Sequence, residues 1–247
     1  MMKKSILFSL LCLIYISTVN CQKTIHPLNL KIDKVLSFPE KYTMSMFFVA
    51  NSQKKTIGKI HTSLVKTNEN ISIITKLQIP NQANNQWVDS IVVNSANFEP
   101  LYHSSINPQR EMVMKYGKKI NGYFKNLKTN STTEILETTN KPYFDSNSYP
   151  HIIRLLPLKD NYTAIINIFD YNPKSKVGVM NVNIKNTESS ILDFNGEQRK
   201  VWKVDTTTDI SDNKILTTFF IDKLTKKVLK QITNNMMGQL IMERQEL

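Results

Sequence analysis

The segment ILDFNGEQRKVWKV, residues 191–204, decides the fold because it has the pattern of a complete β-hairpin. Asn195-Gly196 stands at its centre, and both residues of such a pair accept the positive φ that a two-residue hairpin turn requires. In the second arm, Trp202 and Val204 lie on one face of a strand with a two-residue period. We therefore predict a hairpin whose arms are residues 191–194 and 200–204.

Alternation of the same kind runs through most of the chain on both sides of this hairpin. Valine, isoleucine, threonine and aromatic residues fill the alternating segments, as is typical of strands. Turn-forming residues separate the segments, which indicates a meander. We predict an all-β fold built on a curved antiparallel sheet. The predicted strands are residues 42–50, 56–66, 71–79, 87–93, 98–106, 110–116, 122–127, 132–138, 162–169, 176–186, 197–208, 214–221, 228–233 and 239–243.

Residues 148–156 depart from the strand pattern. Pro150 suits the first turn of a helix, and Ser148 can precede it as a cap. Ile152 and Leu156 belong to an apolar face. We predict a short helix, which either plugs one open side of the curved sheet or packs on the core as an ordinary connector.

The first 21 residues have the three parts of a secretory signal peptide. Lys3 and Lys4 form a basic start, residues 5–19 are apolar and uncharged, and small residues stand at the two positions that determine cleavage. The apolar part is too short and too one-sided for a membrane span. We expect a signal peptide at residues 1–21, followed by one exported domain at residues 22–247 with no transmembrane span.

Cys21 leaves two fates open. Cleavage after it would remove both cysteines of the chain, Cys12 and Cys21. Alternatively, Cys21 would become the lipidated first residue of a lipoprotein and tether the chain to a membrane, although Thr18 and Asn20 fit that signal poorly. In both cases the domain has no disulfide and no cysteine metal site, so its own apolar core must stabilise it.

The formal net charge is +12, or 12 − 2 = +10 without Lys3 and Lys4. Basic residues are scattered rather than clustered with aromatic residues, and no nucleic-acid-binding motif is present. We therefore expect no nucleic-acid partner. The basic balance indicates a solvated surface or, alternatively, attraction to anionic lipid headgroups.

The sequence contains no recognisable catalytic or metal-binding motif. The four histidines are His26, His61, His103 and His151. They lack metal-ligand spacing, a nucleophile elbow is absent, and the six glycines form no phosphate-binding loop. The segment from Asp209 to Asn213 lacks the glycine and glutamate of a calcium loop, so it predicts a turn. We expect no enzymatic activity, no cofactor and no metal.

Apolar surface remains as the feature that could carry a function. A sheet that closes partly around a helix encloses either a packed core or a ligand cavity, and methionines would make such a cavity adaptable. The candidate ligand-binding residues are Tyr42, Met44, Met46, Phe48, Ile152 and Leu156.

Several of these segments together resemble a known family. They are residues 42–46 (YTMSM), 57–60 (IGKI), 97–101 (NFEPL), 148–156, 202–204 (WKV) and 220–229 (FIDKLTKKVL). This pattern is similar to the bacterial domain-of-unknown-function family 3108 and to its relatives among the lipoprotein-sorting half-barrels of the LolA/LolB type. The resemblance implies an incomplete β-barrel around a helix-lined apolar cavity, and it implies no catalytic residues.

We therefore expect a non-enzymatic envelope protein of a Gram-negative bacterium, exported to the periplasm or associated with the outer membrane. The favoured function is binding of a lipid or another apolar small molecule in the concave face. One alternative is an interaction or assembly module for another envelope protein or a polysaccharide. A further alternative is a hydrolase with an unrecognised site, which a cleft with converging carboxylates or histidines would favour.

Overall fold

The computed structural model describes residues 22–30, 32, 38–80 and 87–245. The predicted signal peptide, including Cys21, lies outside the described residues. The strands are β1 (Lys23–Ile25), β2 (Glu40–Ala50), β3 (Gln53–Lys66), β4 (Asn70–Gln78), β5 (Trp87–Asn94), β6 (Pro100–Asn107), β7 (Arg110–Lys115), β8 (Ile120–Asn126), β9 (Ser131–Glu137), β10 (Phe144–Asp145), β11 (Ala164–Tyr171), β12 (Val177–Phe194), β13 (Glu197–Thr208), β14 (Leu216–Asp222), β15 (Val228–Asn235) and β16 (Gly238–Gln245). The helix α1 spans Tyr149–Ile153, and a single 3-10 turn spans Asp209–Ser211.

These strands form one 16-stranded sheet that is antiparallel except beside β11. From β11 to β16 each strand pairs with the next, β16 then pairs with β2, and the same progression continues from β2 to β9. The short strands β1 and β10 both pair with β11 in parallel. The predicted all-β class and antiparallel meander are confirmed. The two halves of the sheet are joined where the first long strand, β2, pairs with the last strand, β16.

The hairpin at residues 191–204 forms as predicted. Phe194 pairs with Glu197, and Asn195 and Gly196 have φ values of 55° and 80°, as a two-residue turn of this kind requires. The first arm is longer than predicted. The predicted segments 176–186 and 191–194 are parts of one strand, β12, which begins at Val177 and continues through a register shift after Ile184.

Two strands and the end of the helix differ from the prediction. β1 and β10 are three and two residues long, too short to show a two-residue period. The helix α1 ends at Ile153 rather than at Leu156. Leu156 precedes Pro157, and a residue before proline avoids the helical conformation, so this segment continues as tighter turns, including one from the Leu156 N–H to the Ile153 carbonyl.

The main core lies on the face of the sheet that carries α1, here called the inner face. It joins Ile152 of the helix to buried side chains of strands throughout the order, such as Met44, Leu64, Ile166 and Phe219. A helix and strands from both halves of the chain can share one core only if the sheet curves around them. Curvature therefore follows from the contacts, and α1 forms part of the packed interior.

A second buried cluster shows how far the sheet curls. It contains Met114 of β7 and Ile135 of β9 together with Phe169 and Tyr171 of β11. Because β9 and β11 stand near opposite ends of the strand order, their contact brings the two ends of the sheet towards each other. The result is an incomplete barrel with a seam between these ends, and β10 lies along that seam.

Candidate functional site on the inner face

The structure brings four of the six predicted ligand-binding residues together in or against the main core. Met44, Ile152 and Leu156 belong to the buried cluster, and Tyr42 packs against it. Side chains in such a cluster fill space rather than line it. At this end of the inner face, which we call the plugged end, the packed-core interpretation of the sequence is therefore the better one.

Met46 and Phe48 occupy a different environment on the same face. They continue the alternation of β2 beyond Met44, are half-buried, and join none of the buried clusters among the described residues. Directly across the strand pair, Met46 meets Met242 and Phe48 meets Leu240. These four side chains define what we call the open end of the inner face, and Met242 joins it to the plugged end because it also packs against the main core.

Leu240 and Met242 were missed by reasoning from sequence. Both lie in β16, which was predicted as a strand, but nothing in the local pattern shows that the last strand pairs with β2. Lys55 is a further neighbour at the open end, since it pairs with Phe48 from the other side and is exposed. Cross-strand partners on one face lie about 5 Å apart, so these residues form one apolar surface with a basic rim.

A buried charge cluster holds the plugged end. The Glu40 carboxylate accepts hydrogen bonds from Arg154 at 2.9 Å and from Arg244 at 3.0 Å. The guanidinium of Arg244 also lies 4.2 Å from the ring centre of Tyr42, a favourable cation–π geometry. Burial raises the pKa of Glu40, but the two arginines outweigh burial and hold that pKa below its usual value. The cluster thus ties the segment after α1 to β2 and β16.

His151 of α1 lies beside this cluster and is buried. Burial lowers its pKa to about 3, with a smaller contribution in the same direction from Arg154. A histidine with so low a pKa is neutral at physiological pH. His151 is therefore an uncharged side chain within the buried part of the helix.

A second buried polar cluster closes the seam. His103 Nδ1 lies 2.8 Å from Asp145 Oδ2, the Tyr116 hydroxyl donates to the same oxygen at 2.6 Å, and the Asn147 backbone N–H donates to Asp145 Oδ1. Burial opposes both charges, yet their attraction raises the pKa of His103 and lowers that of Asp145. The cluster therefore joins β6 to β10 through a buried hydrogen bond, which becomes an ion pair when His103 is protonated.

An aspartate–histidine pair is also the arrangement of a general acid–base dyad. Here the side chains of His103 and Asp145 are only 3% and 0% exposed, so a substrate does not reach them in this structure. The pair acts as a buried link across the seam. Its partners come from β6 and β10, 42 residues apart in the chain, which is why no sequence motif marked it.

The remaining histidines and the candidate calcium loop have ordinary structural surroundings. His61 lies between Thr43 Oγ1 at 2.9 Å and Gln78 Oε1 at 3.0 Å, and His26 contacts Asn29. The Asp209–Ser211 segment forms the predicted turn. Within the described ranges, no group of three or more histidine, cysteine, aspartate or glutamate side chains is placed to hold a metal ion.

Comparison with known proteins identifies the family. A family model described as "Protein of unknown function (DUF3108)" matches residues 41–243. The chain belongs to this family. The matched range includes every strand from β3 to β15, so the resemblance seen in the sequence is confirmed over most of the described DUF3108 domain.

Solved structures and curated proteins give two further results. A β-barrel-like protein of the domain of unknown function DUF1849 from Brucella abortus is 10% identical, with a TM-score of 0.49, and the match covers 84% of this chain and 96% of that one. No curated protein matches the DUF3108 chain significantly. In the part of the chain that the structure describes, no helix has the length and apolar character needed to cross a membrane.

Proposed function

We propose that this DUF3108 protein is an exported, non-enzymatic protein that binds a lipid acyl chain at the open end of its inner face. The observation that carries the proposal is the half-buried apolar surface of Met46, Phe48, Leu240 and Met242, which continues directly from the packed core. A surface of this kind loses unfavourable contact with water when an apolar ligand covers it.

The composition of the open end suits a flexible ligand. Two of its four side chains are methionines, whose unbranched and polarisable side chains adapt to irregular partners. Covering apolar surface contributes roughly 0.8 kcal/mol for each buried methylene group. Lys55 beside Phe48 places a positive charge at the rim, where the carboxylate or phosphate of an amphiphile would lie. A fatty acid or an anionic phospholipid therefore fits this end best.

Export and the absence of catalysis belong to the same proposal. Export is supported by the signal-peptide pattern of residues 1–21. The His103–Asp145 pair has the geometry of an acid–base dyad, but both side chains are buried. This burial supports a binding function without catalysis. Fractionation of cells that produce the full chain, with and without residues 1–21, tests the proposed location.

The binding proposal is tested with two double variants of the mature protein. Met46→Gln/Met242→Gln places polar amides at the open end, whereas Met236→Gln/Met237→Gln makes the same changes in the exposed turn between β15 and β16. Titration with a fluorescent fatty acid should show at least tenfold weaker binding for the first variant, because about 1.5 kcal/mol or more of apolar contact is lost. The second variant should bind like the unmodified protein.

Native mass spectrometry of the unmodified protein gives an independent readout, with bound lipid as the expected result. Equal affinities of the two double variants, or a protein that takes up no added fatty acid, would contradict acyl-chain binding. Circular dichroism of both variants shows whether a loss of binding arises from loss of the fold.

A further inference from the structure

A cavity of about 460 Å³ lies at the end of the sheet where β2 begins and β16 ends. The β12–β13 hairpin and the turn between β14 and β15 form its other walls, and cationic side chains of Lys41, Arg199, Lys227 and Arg244 belong to its lining. Its volume is that of a small-molecule site. It is distinct from the open end of the inner face, since Lys41 stands at the opposite end of β2 from Phe48.

Asp222 supplies the carboxylate in this lining, and it already accepts hydrogen bonds within the local turn. Asp222 Oδ1 accepts hydrogen bonds from the backbone N–H of Leu224 at 2.9 Å and from the backbone N–H and hydroxyl of Thr225 at 2.7 and 3.0 Å. A carboxylate held in this way stabilises the turn and offers little to a ligand. The charge that the cavity presents is therefore positive.

Within the described part of the chain, two of the lining cations form no ion pair with a carboxylate. Lys41 and Lys227 are exposed, and the ion pairs found among the described residues include neither of them. Arg199 pairs with the exposed Glu197 at 3.0 Å. Arg244 shares the single carboxylate of Glu40 with a second arginine, so that cluster keeps a net positive charge behind the cavity wall.

The turn from β14 to β15, which contributes Thr225 and Lys227 to the lining, is basic as well. The turn from β14 to β15 also carries Lys223 and Lys226, and the Lys223 backbone N–H donates to the carbonyl of Lys200 in the neighbouring hairpin at 3.0 Å. Lys223 Nζ lies 3.6 Å from the centre of the Trp202 ring and donates to Ser189 Oγ, so this lysine is held against the β12–β13 hairpin beside the cavity lining. Lysines gathered around a concave surface raise the local concentration of anions.

We infer that this cavity binds the phosphate group of a small organic ligand. Several cations around one space suit a phosphate group, because its oxygens accept charge-assisted hydrogen bonds from more than one cation and each added cation strengthens the attraction. An adjoining cavity of about 530 Å³ shares Phe194, Leu229 and Arg244 with the first. It is also lined by Phe47, Lys230 and two acidic residues, Asp193 and Glu243, which disfavour a second anionic group there. It provides room for the uncharged remainder of the ligand. This inference does not rest on the proposed acyl-chain site.

The phosphate comes either from a soluble phosphate ester or from a lipid headgroup, and two probes separate these sources. Glycerol 3-phosphate is titrated by calorimetry, and vesicles of phosphatidylglycerol are compared with vesicles of phosphatidylcholine in a sedimentation assay. The test variant is Lys41→Gln/Lys227→Gln. The control is Lys118→Gln/Lys128→Gln, which removes the same charge from exposed turns beside β8.

We expect the test variant to bind at least one of the two phosphate probes about tenfold more weakly than the control and the unmodified protein, with an affinity that falls as salt rises. Loss for glycerol 3-phosphate identifies a soluble ester, and loss for phosphatidylglycerol vesicles alone identifies a headgroup. Equal binding by the two double variants, or no binding of either probe, overturns the inference. Met46→Gln/Met242→Gln should bind glycerol 3-phosphate, which has no acyl chain, like the unmodified protein, so this arm fails or succeeds separately from the acyl-chain test.

Discussion

The substitution Glu40→Gln tests whether the buried charge cluster holds the plugged end of the sheet. The Glu40 side chain is 7% exposed and binds Arg154 and Arg244, which are similarly buried. Removing its charge leaves two buried guanidinium groups without the carboxylate that binds them. Breaking a buried pair in this way costs about 3 to 5 kcal/mol, because the remaining charge is desolvated without compensation. We therefore expect the free energy of unfolding to fall by about 4 kcal/mol.

Glu243→Gln is the matched control. Glu243 also binds two cations, Lys54 at 3.2 Å and Lys230 at 2.9 Å, but its side chain is 34% exposed. Water solvates these charges once the pair is broken, so the cost should be about 1 kcal/mol or less. The two variants share the substitution and the number of ionic partners and differ mainly in burial.

Urea denaturation followed by circular dichroism measures both costs. With a slope of about 3 kcal/mol per M, the midpoint should fall by roughly 1.3 M for Glu40→Gln and by about 0.3 M or less for Glu243→Gln. The lowered pKa of Glu40 adds a pH dependence, since its contribution is present above its unfolded pKa and is lost as pH falls through the folded pKa. Midpoints that fall equally in the two variants would refute the argument from burial.

Three further predictions concern the seam, the helix and the close packing of β7 and β8. The attraction of Asp145 outweighs the effect of burial and raises the pKa of His103 above 6.5. The stability from this pair is therefore present below pH 6.5 and is lost as pH rises through the folded pKa. Melting temperatures measured on both sides of that pKa should show this trend, and His103→Gln should abolish it. Burial lowers the pKa of His151 to about 3, so the stability contributed by the neutral side chain is lost as pH falls from 6.5 towards 3. In His151→Leu, the melting temperature should therefore depend less on pH in that range. An unchanged pH dependence would contradict this assignment. A Cβ atom at Gly122 would collide with the backbone carbonyl of Val113, so Gly122→Ala should cost about 3 kcal/mol in urea unfolding, and a loss below about 0.5 kcal/mol would show that the strands separate freely.

The positions of the strands could be predicted because alternation is a local property. Each segment of a half-buried strand must place apolar residues on one side and polar residues on the other, so the segment carries the evidence for its own conformation. Asn195-Gly196 likewise specified its turn through the φ values that these two residues accept. β1 and β10 were not predicted because two or three residues are too few to show the two-residue alternation of a strand. Both are strands because they pair with β11.

The candidate site was predictable only in part. Met46 and Phe48 were found because they share a face of β2, but whether that face is filled or open depends on which atoms of other elements reach it. Met44, two residues earlier, became part of the core because the helix segment packs there. Nothing in the alternation of β2 distinguishes these neighbouring methionines.

The sequence by itself determined the strand class, the meander and the turn between β12 and β13, since these depend on residues that are adjacent in the chain. Only the tertiary structure decided which distant residues meet. Glu40 and Arg244 lie 204 residues apart and form one buried ion pair because β16 returns beside β2. Contacts of this kind arise from the curvature and closure of the whole sheet, so they cannot be predicted from a pattern of neighbouring residues.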